Sequence, residues 1–137
     1  MPQLTSLDHL VLTVADMDQT LQFYTAVLGM VAETFRATDG TRRHALKFGS
    51  QKINLHQAGH EFEPRARLPQ PGSGDLCFLT DGLLADWVAH LRNMGVTVEM
   101  GPIARSGAVG PITSIYLRDP DGNLIEIAKP DLAAQVS

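Results

Sequence analysis

Residues 7–14 alternate in polarity. Leu10, Leu12 and Val14 fall on one face of an extended chain, and Leu7, His9, Val11 and Thr13 on the other. Their β-branched and apolar content predicts a strand. Asp16 and Asp18 then supply capping carboxylates. Leu21, Tyr24 and Leu28 recur at helical spacing, which predicts a helix over 18–28 with Gly29 as its natural stop. Two or three strands are expected, over about 31–38, 44–48 and 52–57, with turns at Asp39-Gly40 and Gly49-Ser50. Across 58–74 the pattern dissolves into three prolines, three glycines and alternating charges, the signature of a connector. The order then repeats. A strand is expected over 74–80, a helix over 83–94 with Leu84, Trp87, Val88 and Leu91 as its buried stripe, and a strand over 96–100. A second Gly/Pro-rich loop, 101–111, carries Arg105. A hairpin of 112–118 and 123–129 closes around Asp119-Pro120-Asp121-Gly122, which is a turn by its chemistry. Residues 130–137 read as a frayed tail.

The chain is thus written twice, and duplication decides the architecture before any local reading does. Each copy runs strand, helix, then a short meander of strands, which predicts an α+β fold. Laying one copy on the other pairs His9 with Asp75 and Asn54 with Glu126. Helices cover one sheet face. The face holding those four residues must curl onto its copy or a partner.

A chain of 137 residues is one domain by length, or one domain made of two half-size modules, and needs no covalent staple. The formal charge of −4 gives no sign of nucleic acid or an acidic membrane surface as partner. The single Cys77 excludes an intrachain disulfide and suits a reducing cytosol. It stands in an apolar strand, which favours a packed thiol over a nucleophile. Met1-Pro2-Gln3-Leu4-Thr5 carries no basic segment before an apolar run, so no signal peptide is expected, and no apolar stretch has the length of a membrane span. A cytoplasmic protein is expected.

Glu126 is the sharpest single candidate for chemistry. It sits between Ile125 and Ile127, so alternation turns it to the face shared with Leu124 and Ala128. Two readings stand: a carboxylate put there for use, or the solvated face of an antiparallel sheet. His9 is either a ligand or a packed, hydrogen-bonded histidine. Asp75 is either a ligand or the turn residue that opens its strand. His56 lies two residues beyond Asn54 and points the same way; its plain reading is an exposed strand end. The set is stronger than its members, because imidazole nitrogen and carboxylate oxygen together suit Zn²⁺, Mn²⁺, Ni²⁺ or Fe²⁺. His9, Asp75 and Glu126 would leave positions open for substrate, and His56 would add a second imidazole if the strand end bends inward. Arg105 in its glycine-rich loop fits a ligand carboxylate or phosphate, or is simply solvated. Ser114 and Tyr116 line the same face or meet water. His44, His60 and His90 show no such pairing, and His90 is expected to face solvent.

The His9 strand, the segment Phe23-Tyr24-Thr25-Ala26-Val27-Leu28-Gly29-Met30, and Arg118-Asp119-Pro120-Asp121-Gly122-Asn123-Leu124-Ile125-Glu126 resemble the vicinal oxygen chelate superfamily. That superfamily includes glyoxalase I, extradiol dioxygenases, fosfomycin-resistance transferases and bleomycin-binding proteins. Ile53-Asn54-Leu55-His56, Glu61-Phe62-Glu63-Pro64 and the stretch from Gly101-Pro102 to Ser114-Ile115-Tyr116 are similar to its short glyoxalase-domain-containing members, some of which carry a virulence label. The resemblance implies paired βαβββ modules forming a curled mixed sheet around a cleft, with helices outside. It implies one glyoxalase-like domain over 1–137, with modules at about 5–58 and 74–130 and a connector at 59–73, and a homodimer. It maps the ligand positions onto His9, Asn54, Asp75 and Glu126 and implies one divalent ion. Asp75 departs from the histidine of many relatives, and Asn54 from the carboxylate of glyoxalase I. The implied function is a metal-dependent lyase or isomerase acting on a small α-hydroxycarbonyl or thiol adduct through an enediolate. Glu126 or His56 would move the proton, and Arg105, Ser114, Tyr116 and Asn54 would contact substrate. Ring-cleaving oxygenation and non-catalytic drug or metabolite binding are the alternatives the same resemblance carries.

Overall fold

The structure is a computed structural model, and residues 1–131 are described. The chain divides into two compact units, Met1–Pro71 and Gly72–Ser137. Each builds one four-stranded mixed sheet and carries one regular α-helix.

In the first unit β1 (His9–Val14) leads into α1 (Met17–Gln22), and β2 (Val31–Arg36), β3 (Arg42–Phe48) and β4 (Gln51–Gln57) follow. The sheet order is β1-β4-β3-β2, with β4 parallel to β1 and antiparallel to β3. Asp16 caps α1 as the sequence predicts, its Oδ1 accepting from the Gln19 amide at 2.9 Å. The expected single helix over 18–28 is instead a short α-helix that widens into a π-helical turn over Phe23–Val27. Thr25 contributes to that widening, since its hydroxyl donates back to the Leu21 carbonyl at 2.7 Å. Val14, Tyr24, Leu46, Ile53 and Leu55 form the buried core between helix and sheet.

The second unit repeats the plan. β5 (Asp75–Leu79), α2 (Leu84–Asn93), β6 (Met100–Ser106), β7 (Pro111–Arg118) and β8 (Leu124–Pro130) give the order β5-β8-β7-β6, again with first and last strands parallel. Leu91, Ile115, Leu117 and Ile125 have no exposed surface. Each such side chain contributes about 1.5–3 kcal/mol on burial. At the β7–β8 turn, Asp119 accepts from the amides of Asp121 and Asn123 and from the Asn123 side chain. Asn123 Oδ1 in turn accepts from the Gly74 amide at 2.7 Å. This buried turn fixes the start of β5 against β8.

The expectation for residues 96–111 is overturned. The sequence placed a strand at 96–100 and a loop at 101–111, but the strand is Met100–Ser106 and Arg105 lies on it. Glycine and proline misled the reading. Gly101 takes φ +104° where the register shifts between Met100 and Ile103, and its backbone lies so close to β7 that a Cβ would overlap the Ser114 carbonyl and stand 2.9 Å from Ile115 Cα. Of the tail expected at 130–137, Pro130 instead belongs to β8, and 132–137 lie outside the described residues.

Gly101 and Gly40 make a controlled pair. Both have positive φ, but a Cβ at Gly40 meets open space. Gly40→Ala is expected to cost about 1–2 kcal/mol from backbone strain alone. Gly101→Ala adds steric overlap and is expected to cost about 3 kcal/mol or more. Urea unfolding of the two variants measures the difference.

Candidate functional site

The register of the parallel pairs settles which residues are equivalent. His9 faces Lys52 and Val11 faces Asn54 across β1 and β4. Asp75 faces Leu124 and Cys77 faces Glu126 across β5 and β8. His9 and Asp75 therefore hold the same sheet position in their units, and so do Asn54 and Glu126.

On the first sheet, Asn54 is flanked by Val11 on β1 and by the buried Ala45 on β3. Its Oδ1 is buried and has no hydrogen-bond partner among the described residues. His9 is exposed, and its Nδ1 lies 2.8 Å from Asp8 Oδ1, which leaves Nε2 free. His56 is not the exposed strand end of the plain reading; it is buried, with 7% of its surface accessible. Phe62, from the connector, packs edge-on against the His56 ring at 5.4 Å and takes the Arg43 guanidinium over its own face at 4.0 Å. Arg43 is held from behind by Asp39 at 2.8 Å and Thr41 at 3.1 Å. Burial and the Arg43 charge push the His56 pKa down, against an opposing pull from Glu61. Both of these causes favour the neutral imidazole.

On the second sheet, Glu126 is half-buried and accepts a 2.5 Å hydrogen bond from Ser114 Oγ. Tyr116 faces Glu126 across β7 and β8, and Arg105 Nε donates to Tyr116 Oη at 2.9 Å. Arg105, Tyr116, Ser114, Glu126 and Cys77 thus share one face of one sheet. Asp75 is exposed on the same side of β5. Ser114 has no exposed surface, so its hydroxyl serves Glu126 and is closed to direct contact with a ligand. Cys77 is an exposed residue, not a packed one. Its thiol pKa is nevertheless pushed up to about 11, by burial of the sulfur and then by the charge and hydrogen bond of Glu126, with Asp75 adding to it. The exposure of the residue weakens the burial contribution, but the carboxylate beside it pushes the same way. A thiol so suppressed is a poor nucleophile.

Among the described residues, no three His, Cys, Asp or Glu side chains stand together as a ligand group. The predicted residues fall on two separate sheets: His9, Asn54 and His56 on the first, and Asp75, Arg105, Ser114, Tyr116 and Glu126 on the second. Two neighbours of His56 were not anticipated. Phe62, from the connector, covers its ring, and Arg43, on β3, lies over Phe62; residues so far apart in the chain leave no periodic signal. No helix among the described residues is long and apolar enough to cross a membrane.

The family model for the glyoxalase/bleomycin resistance protein/dioxygenase superfamily matches residues 6–127. The chain belongs to that superfamily. It is 59% identical over 123 residues to glyoxalase domain-containing protein RDO1 of Mycosarcoma maydis, spanning 90% of this chain and 67% of that one. It is 54% identical over 123 residues to virulence protein STM3117 of Salmonella typhimurium, spanning 90% and 83%. An integron cassette protein from the mobile metagenome of V. cholerae superposes with a TM-score of 0.90 at 55% identity, covering 96% of this chain and 99% of that one. Two more distant structures share the fold alone. They are a lactoylglutathione lyase from Agrobacterium tumefaciens (TM-score 0.68, 24% identity, 95% and 97% covered) and the antibiotic-binding protein TnmS3 from Streptomyces (0.71, 22%, 96% and 100%).

The Cys77–Glu126 pairing predicts a measurable coupling. With a pKa of about 11, about one Cys77 thiol in a thousand is ionised at pH 8. Glu126→Gln removes the charge that suppresses the thiolate. Iodoacetamide alkylation at pH 8 is expected to accelerate roughly three- to tenfold, as followed by intact-mass spectrometry.

Proposed function

We propose that this protein is a metal-dependent lyase or isomerase of the glyoxalase I type, acting on a small α-hydroxycarbonyl or a thiol adduct of one. One observation carries the reading. Two units built on the same skeleton offer His9 with Asn54, and Asp75 with Glu126, at matching sheet positions.

The side chains suit a divalent ion. His9 keeps Nε2 free, Asp75 and Glu126 supply carboxylate oxygen, and Asn54 brings a buried carbonyl oxygen that no group among the described residues satisfies. A buried acceptor without a donor costs about 1–3 kcal/mol, a cost that a bound cation or substrate donor would relieve. The bound ion would supply Lewis acidity to adjacent carbonyl and hydroxyl oxygens. The chain's own residues do the rest. Glu126, fixed by Ser114, takes the proton from substrate carbon and returns it to the neighbouring carbon. Asn54 holds no exchangeable charge at neutral pH, so the proton relay rests on one carboxylate and not on two. His56, buried and favoured in its neutral form, is the alternative proton acceptor. Arg105 and Tyr116 hold the anionic end of the substrate. A homodimer and a cytoplasmic setting belong to the same reading; the single free thiol supports the latter.

Elemental analysis and titration with Zn²⁺, Ni²⁺, Mn²⁺ and Fe²⁺ test this. Wild type is expected to bind one ion per chain, and His9→Ala and Glu126→Ala to weaken binding at least tenfold. Wild type that binds no divalent ion would remove the reading. A metal-loaded protein that fails to turn over a hemithioacetal would keep the ion and reject this reaction. Asn54→Leu separates function from stability. It removes the orphaned acceptor, so the metal-free protein is expected to unfold at equal or higher urea concentration while ion binding weakens.

A further inference from the structure

We infer that Ser114 is a positioning residue for Glu126: its buried hydroxyl fixes one carboxylate oxygen, so that the other is offered to whatever the site binds. The inference rests on the reading that Glu126 is the working carboxylate.

A serine hydroxyl has one hydrogen to give, and here it goes to Glu126 Oε2 at 2.5 Å. That distance belongs to the charge-assisted class of hydrogen bonds. With no exposed surface, Ser114 cannot give the same hydrogen to a ligand. Glu126 needs such a partner. Its own face offers Leu124 and Ala128 along the strand and the Cys77 thiol opposite on β5, a weak donor compared with a serine hydroxyl.

The bond is diagonal. Tyr116 is directly opposite Glu126, and Ser114 is directly opposite Ala128. Diagonal neighbours lie within reach of a long side chain such as glutamate, and the small Ala128 leaves the path open. Ser114 is itself immobilised, with Ile103 opposite it on β6 and the Gly101 backbone pressed against its carbonyl.

The other unit supplies an internal comparison. Ser114 stands two residues before Tyr116, which faces Glu126. Arg43 stands two residues before Ala45, which faces Asn54. The Arg43 guanidinium is engaged with Asp39, Thr41 and Phe62, and Asn54 Oδ1 is left without a donor among the described residues. The duplicated skeleton therefore does not impose a donor at this place. The second unit has one, and it serves the carboxylate.

The test uses full-length protein with carbon-13 in its glutamate side chains. The Glu126 carboxyl resonance is identified by its loss in Glu126→Gln. In metal-free protein at constant pH, Ser114→Ala is expected to move that resonance, and Ser114→Cys, which keeps the packing but donates weakly, to move it less in the same direction. Co²⁺ titration by calorimetry is expected to show about tenfold weaker binding in Ser114→Ala. The Co²⁺ visible spectrum is expected to change with it, which a loss of stability alone would not produce. An unmoved resonance in both variants would overturn the inference even if wild type binds Co²⁺ well. A moved resonance in a protein that binds no Co²⁺ would uphold the positioning role and reject the metal reading.

Discussion

The parallel pairing of first and last strand in each unit is the constraint on which the rest depends. Parallel strands cannot be joined by a tight turn, so the chain must travel through a helix and two further strands before it returns. That detour makes the βαβββ module, and its return lays β4 against β1 and β8 against β5. Residues far apart in sequence become lateral neighbours: Asn54 beside Val11, Glu126 beside Cys77. Side chains alternate with a period of two, so a slip of one residue would send Glu126 into the packed core and Ile125 or Ile127 outward. The fully buried Ile53 and Ile125 hold the register on the core side, and the candidate chemistry inherits its placement from them.

Two copies of one skeleton carry different chemistry. The second sheet surrounds Glu126 with groups that respond to its charge: a serine that donates, a thiol whose ionisation is suppressed, and a tyrosine tied to an arginine. The first sheet surrounds Asn54 with valine and alanine, and its arginine is turned to an aspartate and a phenylalanine. One half manages a charge and the other leaves a neutral amide unsatisfied. This asymmetry supports the single-carboxylate relay proposed above.

Much of the fold was legible in the sequence. Alternation from Leu7 to Val14 and around Glu126 gave strands and faces, and the repeat gave the equivalence of His9 with Asp75 that the strand registers reproduce. What escaped was tertiary in origin. Gly101 and Pro102 read as a loop because their composition is that of one, yet close approach to β7 is what requires a glycine there. The helix ending at Leu28 shows an ordinary period, and nothing in that spacing announces a π turn. Of the candidate site, the residue types and their faces were readable. The Ser114–Glu126 bond was not, because it is diagonal and depends on the register of β7 against β8. His56 looked like an exposed strand end because its cover, Phe62, arrives from a connector with no periodic pattern.

Phe62 makes the connector unequal along its length. Six residues past His56 it is wedged between an imidazole and a guanidinium, so the tether between β4 and that wedge has a set length. An inserted residue before Phe62 would pull the ring out and open His56 to water. The stretch from His56 to Phe62 therefore has to keep its length for the imidazole to stay covered.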